Sequence, residues 1–156
     1  AAESIMGLGV DMFNVHASAG RRAMSSVMER LSKYENLPIV LAVTALTSFS
    51  EDEFQALYEK EILNKANQFA KDAQESGLDG VVCSAFESKS IKDITSAKFM
   101  TLTPGIRPFG EDAGDQKRVA DVAFAKGAQV DFIVVGRPIY TAENPAQIVE
   151  KILAQI

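Results

Sequence analysis

TLTPGIRPFGEDAGDQKR, from Thr101 to Arg118, and VVGRP, from Val134 to Pro138, decide how this chain is read. The first segment begins as an apolar strand, turns at Pro104-Gly105 and delivers Arg107. A Gly-rich loop then presents Asp115 and Gln116. The second segment is another apolar strand and ends on Gly136 and Arg137. Two strand ends and one loop thus bring two guanidiniums, an amide and free backbone N–H groups toward one place, which is equipment for holding a phosphate. Gly136 lets backbone approach an oxygen closely, and guanidinium meets phosphate through paired hydrogen bonds. The plain alternative is two surface arginines at loop starts. Their convergence with Gln116 and Gly105 favours a site.

Working outward, Val10 to Ala17 (VDMFNVHA) reads as a strand. Arg21 to Tyr34 follows as a helix, with Met24, Val27, Met28 and Leu31 at helical spacing. After Pro38, IVLAVTALTS is a buried strand ending on Thr47-Ser48. Ser50 to Glu53 (SEDE) is a capping box. It predicts one helix running to about Gly77, with Phe54, Leu57, Tyr58, Ala66, Phe69, Ala70 and Ala73 on its apolar face. Asp79 to Ala85 is a strand, Phe86 to Ile94 a helix, Lys98 to Thr103 a strand, Val119 to Lys126 a helix and Asp131 to Gly136 the last strand. Asn144-Pro145 caps a final helix with Ala146, Val149, Ile152, Leu153 and Ile156 on one face.

Strand and helix alternate five times with short joints, which predicts βαβ units and a parallel sheet. Periodicity alone leaves an open doubly wound sheet and a (β/α)8 barrel both standing. No GxGxxG is present, against a dinucleotide fold. Phosphate equipment after the last two strands favours a TIM barrel, which commonly binds phosphate after strands seven and eight. The expectation is a partial barrel comprising strands 4 to 8, with residues 1–156 as the C-terminal part of one domain. AAESIMGLG has no initiator Met and reads as the last turns of a helix, so the chain is expected to be a piece of something longer.

The 156 residues suit one domain, 47% apolar and 24% charged. A formal charge of -5 argues against a sequence-independent grip on nucleic acid or on anionic membrane. A local arginine pair can still hold a small phosphorylated ligand. Cys83 is the only cysteine, which excludes an internal disulfide and fits a reducing compartment. Apolar runs such as Ile39 to Val43 are far too short to span a bilayer, and no signal-peptide pattern opens the chain.

Other candidates are weaker. Thr47 and Ser48 end a strand at the same face, where their hydroxyls suit either a heterocycle edge or a local turn. Asn14 and His16 share one side of the first strand, and a hydrogen-bonded packing role is the favoured reading of His16. Cys83 reads as an inert buried thiol. Asp11, Asp79 and Asp131, at strand starts, read as solvated or capping groups. Glu111, Asp112 and Asp115 are expected to turn outward, away from a phosphate, and Arg21-Arg22 are expected to be solvated. No His, Cys or carboxylate cluster has metal-ligand spacing. Taken together, the residues make a binding half-site without an evident acid, base or nucleophile.

DMFNVHAS followed by GRR, then AVTALTS, LDGVVCSA, LTPGIRP, DQKRV and VVGRPI, resemble bacterial orotidine 5'-phosphate decarboxylases in order and spacing along the whole chain. The resemblance implies a (β/α)8 barrel and cofactor-free, metal-free decarboxylation of orotidine 5'-phosphate to UMP in pyrimidine synthesis. It also implies a cytoplasmic homodimer. By motif it implies that Thr47 contacts the pyrimidine and that Arg107, Gln116, Gly136 and Arg137 contact the phosphate end. The family's catalytic Asp-x-Lys-x-x-Asp, with a further Lys and Asp on earlier strands, has no match here. The chain alone is therefore expected to be inactive. A non-catalytic phosphate-binding half-barrel and a sister phosphosugar decarboxylase are the alternatives.

Overall fold

The computed structural model describes residues 2–156. Five strands form one sheet: β1 (Met12–His16), β2 (Ile39–Val43), β3 (Gly80–Val82), β4 (Met100–Thr103) and β5 (Phe132–Ile133). Every pairing is parallel and the spatial order is the chain order. A doubly wound sheet reverses its order at a switch point, and this sheet has no reversal. Right-handed crossovers in constant order lay all the helices on one face, as in a barrel wall.

The helices are α1 (Ala2–Met6), α2 (Arg21–Leu31), α3 (Glu51–Tyr58), α4 (Ile62–Glu75), α5 (Ala85–Ile94), α6 (Val122–Gly127), α7 (Arg137–Tyr140) and α8 (Pro145–Leu153). In α4 the buried Ile62, Ala66, Phe69, Ala70 and Ala73 recur at helical spacing. Phe69, Ala70 and Ala73 pack with Met24 and Leu31 of α2 on Val40, Ala42 and Val81 of the sheet and on Cys83, while Ile62 packs with Ala45 and Phe54. A second cluster joins Ile106, Val122, Ala125 and Ile152 to Ile133 and Val135. The opposite face leaves Asn14, His16, Phe132 and Val134 exposed.

The single helix expected from Ser50 to Gly77 is two. Ser50 and Glu53 do form the capping box. The chain then breaks at Glu59, which takes a left-handed conformation (φ 54°) and closes α3. Phe54 stacks on Tyr58 within α3, and the break lets the Tyr58 ring meet Phe69 of α4 edge-on. Asn144 caps α8 as expected, its Oδ1 accepting from Gln147 N at 3.2 Å.

Asp79 and Asp131 are exposed, as expected, and both act as capping groups. Each precedes a strand and accepts a backbone N–H of the neighbouring strand: Val40 N to Asp79 Oδ2 at 2.8 Å, and Thr101 N to Asp131 Oδ2 at 2.7 Å. The same carboxylate latch therefore fixes the register at both joints. At Gly80, a Cβ would lie 2.7 Å from the Met100 backbone carbon, so glycine permits that close approach of β3 to β4.

Candidate active site at the strand ends

The site lies where β4 and β5 end. Gly105 has φ 81°, and a Cβ there would sit 3.0 Å from the Arg118 carbonyl oxygen, so the turn needs glycine. The loop that follows is closed at its base: Arg107 N donates to Ala120 O at 2.8 Å, and Ala120 N to Gly105 O at 3.2 Å.

Arg107 is 6% exposed. Its Nε donates to Asp112 O at 2.9 Å, Nη1 to Ile106 O at 3.1 Å and Nη2 to Ala113 O at 3.0 Å. A guanidinium has five N–H donors, so Arg107 shapes the loop and keeps donors for a ligand. Arg137, at the start of α7, reaches the same carbonyl, Ala113 O, at 3.3 Å. Thr47 donates its hydroxyl to Gln116 Oε1. The Thr47 carbonyl accepts from Lys117 N at 3.0 Å and Arg118 N at 3.2 Å.

Arg107, Gln116, Gly136 and Arg137 thus share one cleft of about 220 Å³, completed by Pro104, Gly105, Val134 and Tyr140. The structure brings these four predicted residues together. Thr47 stands behind them, buried at 6% exposure and joined to the cleft through Gln116. Two larger grooves, of about 720 and 740 Å³, are lined by amides, carboxylates and lysines without an arginine pair, away from these strand ends.

Asp115 corrects the expectation that the loop acids turn outward. Its Oδ1 pairs with Arg137 Nη2 at 2.5 Å, and its Oδ2 accepts from Gln116 Nε2 at 3.2 Å. Hydrogen bonding to its own backbone N–H, then to Arg137 and Gln116, holds this carboxyl below the usual carboxylate range. Asp115 thus engages the Arg137 guanidinium at the rim of the cleft.

Residues 1–152 match the model of the "Orotidine 5'-phosphate decarboxylase / HUMPS family". The chain belongs to that family. The orotidine 5'-phosphate decarboxylase of Sulfurimonas denitrificans is 74% identical over all 156 residues, which span 69% of that protein. That of Nitratiruptor sp. is 67% identical over the same span and share. The crystal structure of orotidine 5'-phosphate decarboxylase from Lactobacillus acidophilus superposes with a TM-score of 0.81 at 32% identity, covering 99% of this chain and 66% of that one. The five-stranded sheet is accordingly part of an orotidine 5'-phosphate decarboxylase-type barrel.

Two ion pairs of this decarboxylase-family chain, each with a buried member, escaped the sequence reading. Lys92 Nζ meets Asp131 Oδ2 at 2.8 Å and also donates to Phe99 O at 3.2 Å, at the strand ends opposite the cleft. Glu87 pairs with Arg118 just beneath the cleft loop. Glu87 is signalled locally only as the third member of a capping box with Ser84. Burial pushes its carboxyl up, and the Arg118 charge opposes that shift. Cys83 is a free buried thiol, as read. His16 is exposed on the open face, so it is not a packing histidine. Arg21 is not simply solvated, since it pairs with Glu75 at 2.6 Å on the surface. Among the described residues no three His, Cys, Asp or Glu side chains group as a metal site.

Proposed function

We propose that this chain supplies the phosphate- and pyrimidine-binding part of an orotidine 5'-phosphate decarboxylase, which turns orotidine 5'-phosphate into UMP and CO2. The observation that carries the reading is the single cleft lined by Arg107, Gln116, Gly136 and Arg137. Arg137 exchanges Asp115 for the phosphate, Arg107 adds the donors its loop carbonyls leave over, and Gln116 completes the grip. Thr47, hydrogen-bonded to Gln116, faces the pyrimidine. A phosphate held here contributes binding energy remote from the reacting carbon, which the enzyme uses at the transition state.

The sequence contains no Asp-x-Lys-x-x-Asp, so nothing in it matches the residues that the family resemblance assigns to the proton transfer. The chain by itself is expected to bind UMP and to leave orotidine 5'-phosphate unconverted. The same reading extends to a homodimer in the cytoplasm. The free thiol of Cys83 suits a reducing compartment.

Phosphorus NMR tests this directly. The UMP resonance should shift or broaden on adding the chain and should return when inorganic phosphate is added in excess. An unmoved resonance, or turnover of orotidine 5'-phosphate by the purified chain, would overturn the reading.

A further inference from the structure

Arg118 is adjacent to the cleft loop but is not among the residues that line the cleft. Its guanidinium turns inward, with the side chain 14% exposed against 4% for its partner Glu87. Nη1 donates to Glu87 at the first turn of α5. Nη2 donates to Ala45 O at 3.2 Å and Leu46 O at 3.1 Å, in the turn after β2. Its backbone N–H donates to Thr47 O at 3.2 Å, and its own carbonyl sits against Gly105. One residue therefore touches three segments: the β2 turn, the start of α5 and both ends of the phosphate loop. Gln116 stands two residues away, and its amide is held by the same β2 turn through Thr47.

We propose that Arg118, tethered by Glu87, is a positioning residue that sets Gln116 in the cleft and so governs the phosphate-dependent part of ligand affinity. This rests on the proposed function. The charge of Arg118 is neutralised by Glu87, so it is not itself a phosphate contact. The planar fork of arginine reaches a carboxylate and two carbonyls together, which a single ammonium does not. Loss of the fork frees the loop from the β2 turn, and Gln116 then no longer stands where Thr47 and a phosphate oxygen meet it.

The test is a double-mutant cycle on the full chain, read by calorimetric titration with UMP and, separately, with uridine. Arg118→Met should weaken UMP binding about tenfold and uridine binding less than about twofold, the loss expected for one misplaced hydrogen bond to a charged group. The double variant Arg118→Met with Gln116→Ala should bind UMP no more weakly than Gln116→Ala alone, because the first residue acts through the second. Arg118→Lys keeps a charge for Glu87 and serves if the Met variant does not fold. It should melt near the wild-type temperature yet share the UMP defect. Equal losses for UMP and uridine, additive single losses, or unaltered UMP binding in Arg118→Lys would overturn the role. A wild-type chain that does not bind UMP would instead overturn the proposed function, and this role with it.

Discussion

The hydroxyl of Thr47 donates to Oε1 of Gln116, joining the turn after β2 to the loop after β4 across 69 positions of chain. The bond occupies Oε1, and the Gln116 amide nitrogen donates to Asp115 Oδ2 at 3.2 Å. Thr47→Val keeps the shape and removes the donor, and the expected result is about a fivefold loss of UMP affinity, as for one hydrogen bond of about 1 kcal/mol. Thr47→Ser should retain most of the affinity. Calorimetric titration of the two variants checks the pair.

Asp115 pairs with Arg137 at 2.5 Å, so on the proposed function it competes with the phosphate for that guanidinium. Asp115→Asn should therefore tighten UMP binding, by about two- to fivefold for so exposed a pair. Its carboxyl titrates below its ordinary value of 3.8, so the pair is present above that value and is lost as pH falls through the lower folded value. The gain from Asp115→Asn should thus be the same at about pH 7.5 and pH 8.5, where the phosphate is also largely a dianion. Titrations at the two pH values read it.

Cys83 is 1% exposed, and burial first, then the nearby Glu87 charge, pushes its thiol far up. A thiol reagent at pH 8 should label the folded chain at least about 100-fold more slowly than the chain in urea, since the thiolate is the reacting form. A raised folded value also means that the thiol's contribution to stability is full below its ordinary value of 9.0 and falls as pH climbs past it. Cys83→Ala should lose that alkaline slope.

Lys92 is held between Asp131 and two backbone carbonyls, with its own side chain 6% exposed and that of Asp131 36%. Asp131→Asn leaves a buried ammonium without its countercharge and should cost about 2–3 kcal/mol, at or below the usual range for breaking a buried pair because Asp131 is partly solvated. Urea denaturation measures it. UMP affinity should not change, because the pair sits at the strand ends opposite the cleft.

The parallel sheet was legible because its signal is local: β-branched runs, short joints and a capping box at Ser50. So were the four cleft residues, since Arg107 and Arg137 follow strand ends through a Pro-Gly or Gly turn and Gln116 stands in the Gly-rich loop between them. The break between α3 and α4 was not legible, because Glu59 adopts a left-handed conformation without being glycine or asparagine. Its cause is tertiary, the packing of Phe54, Tyr58 and Phe69. The latches of Asp79 and Asp131 and the pairing of Glu87 with Arg118 escaped for another reason. Their partners lie 30 or more positions away, and no spacing rule reaches that far. Asp115 shows the reverse error: the reading turned it outward, but the neighbouring Arg137 guanidinium holds it.

The most direct measurement compares UMP with uridine, by calorimetry, on the wild-type chain and on Arg137→Ala. Arg137 is the better choice for removal, because Arg107 also holds the loop carbonyls that shape the cleft. The account predicts that UMP binds at least about tenfold more tightly than uridine, and that Arg137→Ala removes most of this difference while leaving uridine affinity unchanged. Equal affinities for the two ligands in the wild-type chain, or a preference for UMP that survives Arg137→Ala, would contradict the assignment of this cleft to the phosphate.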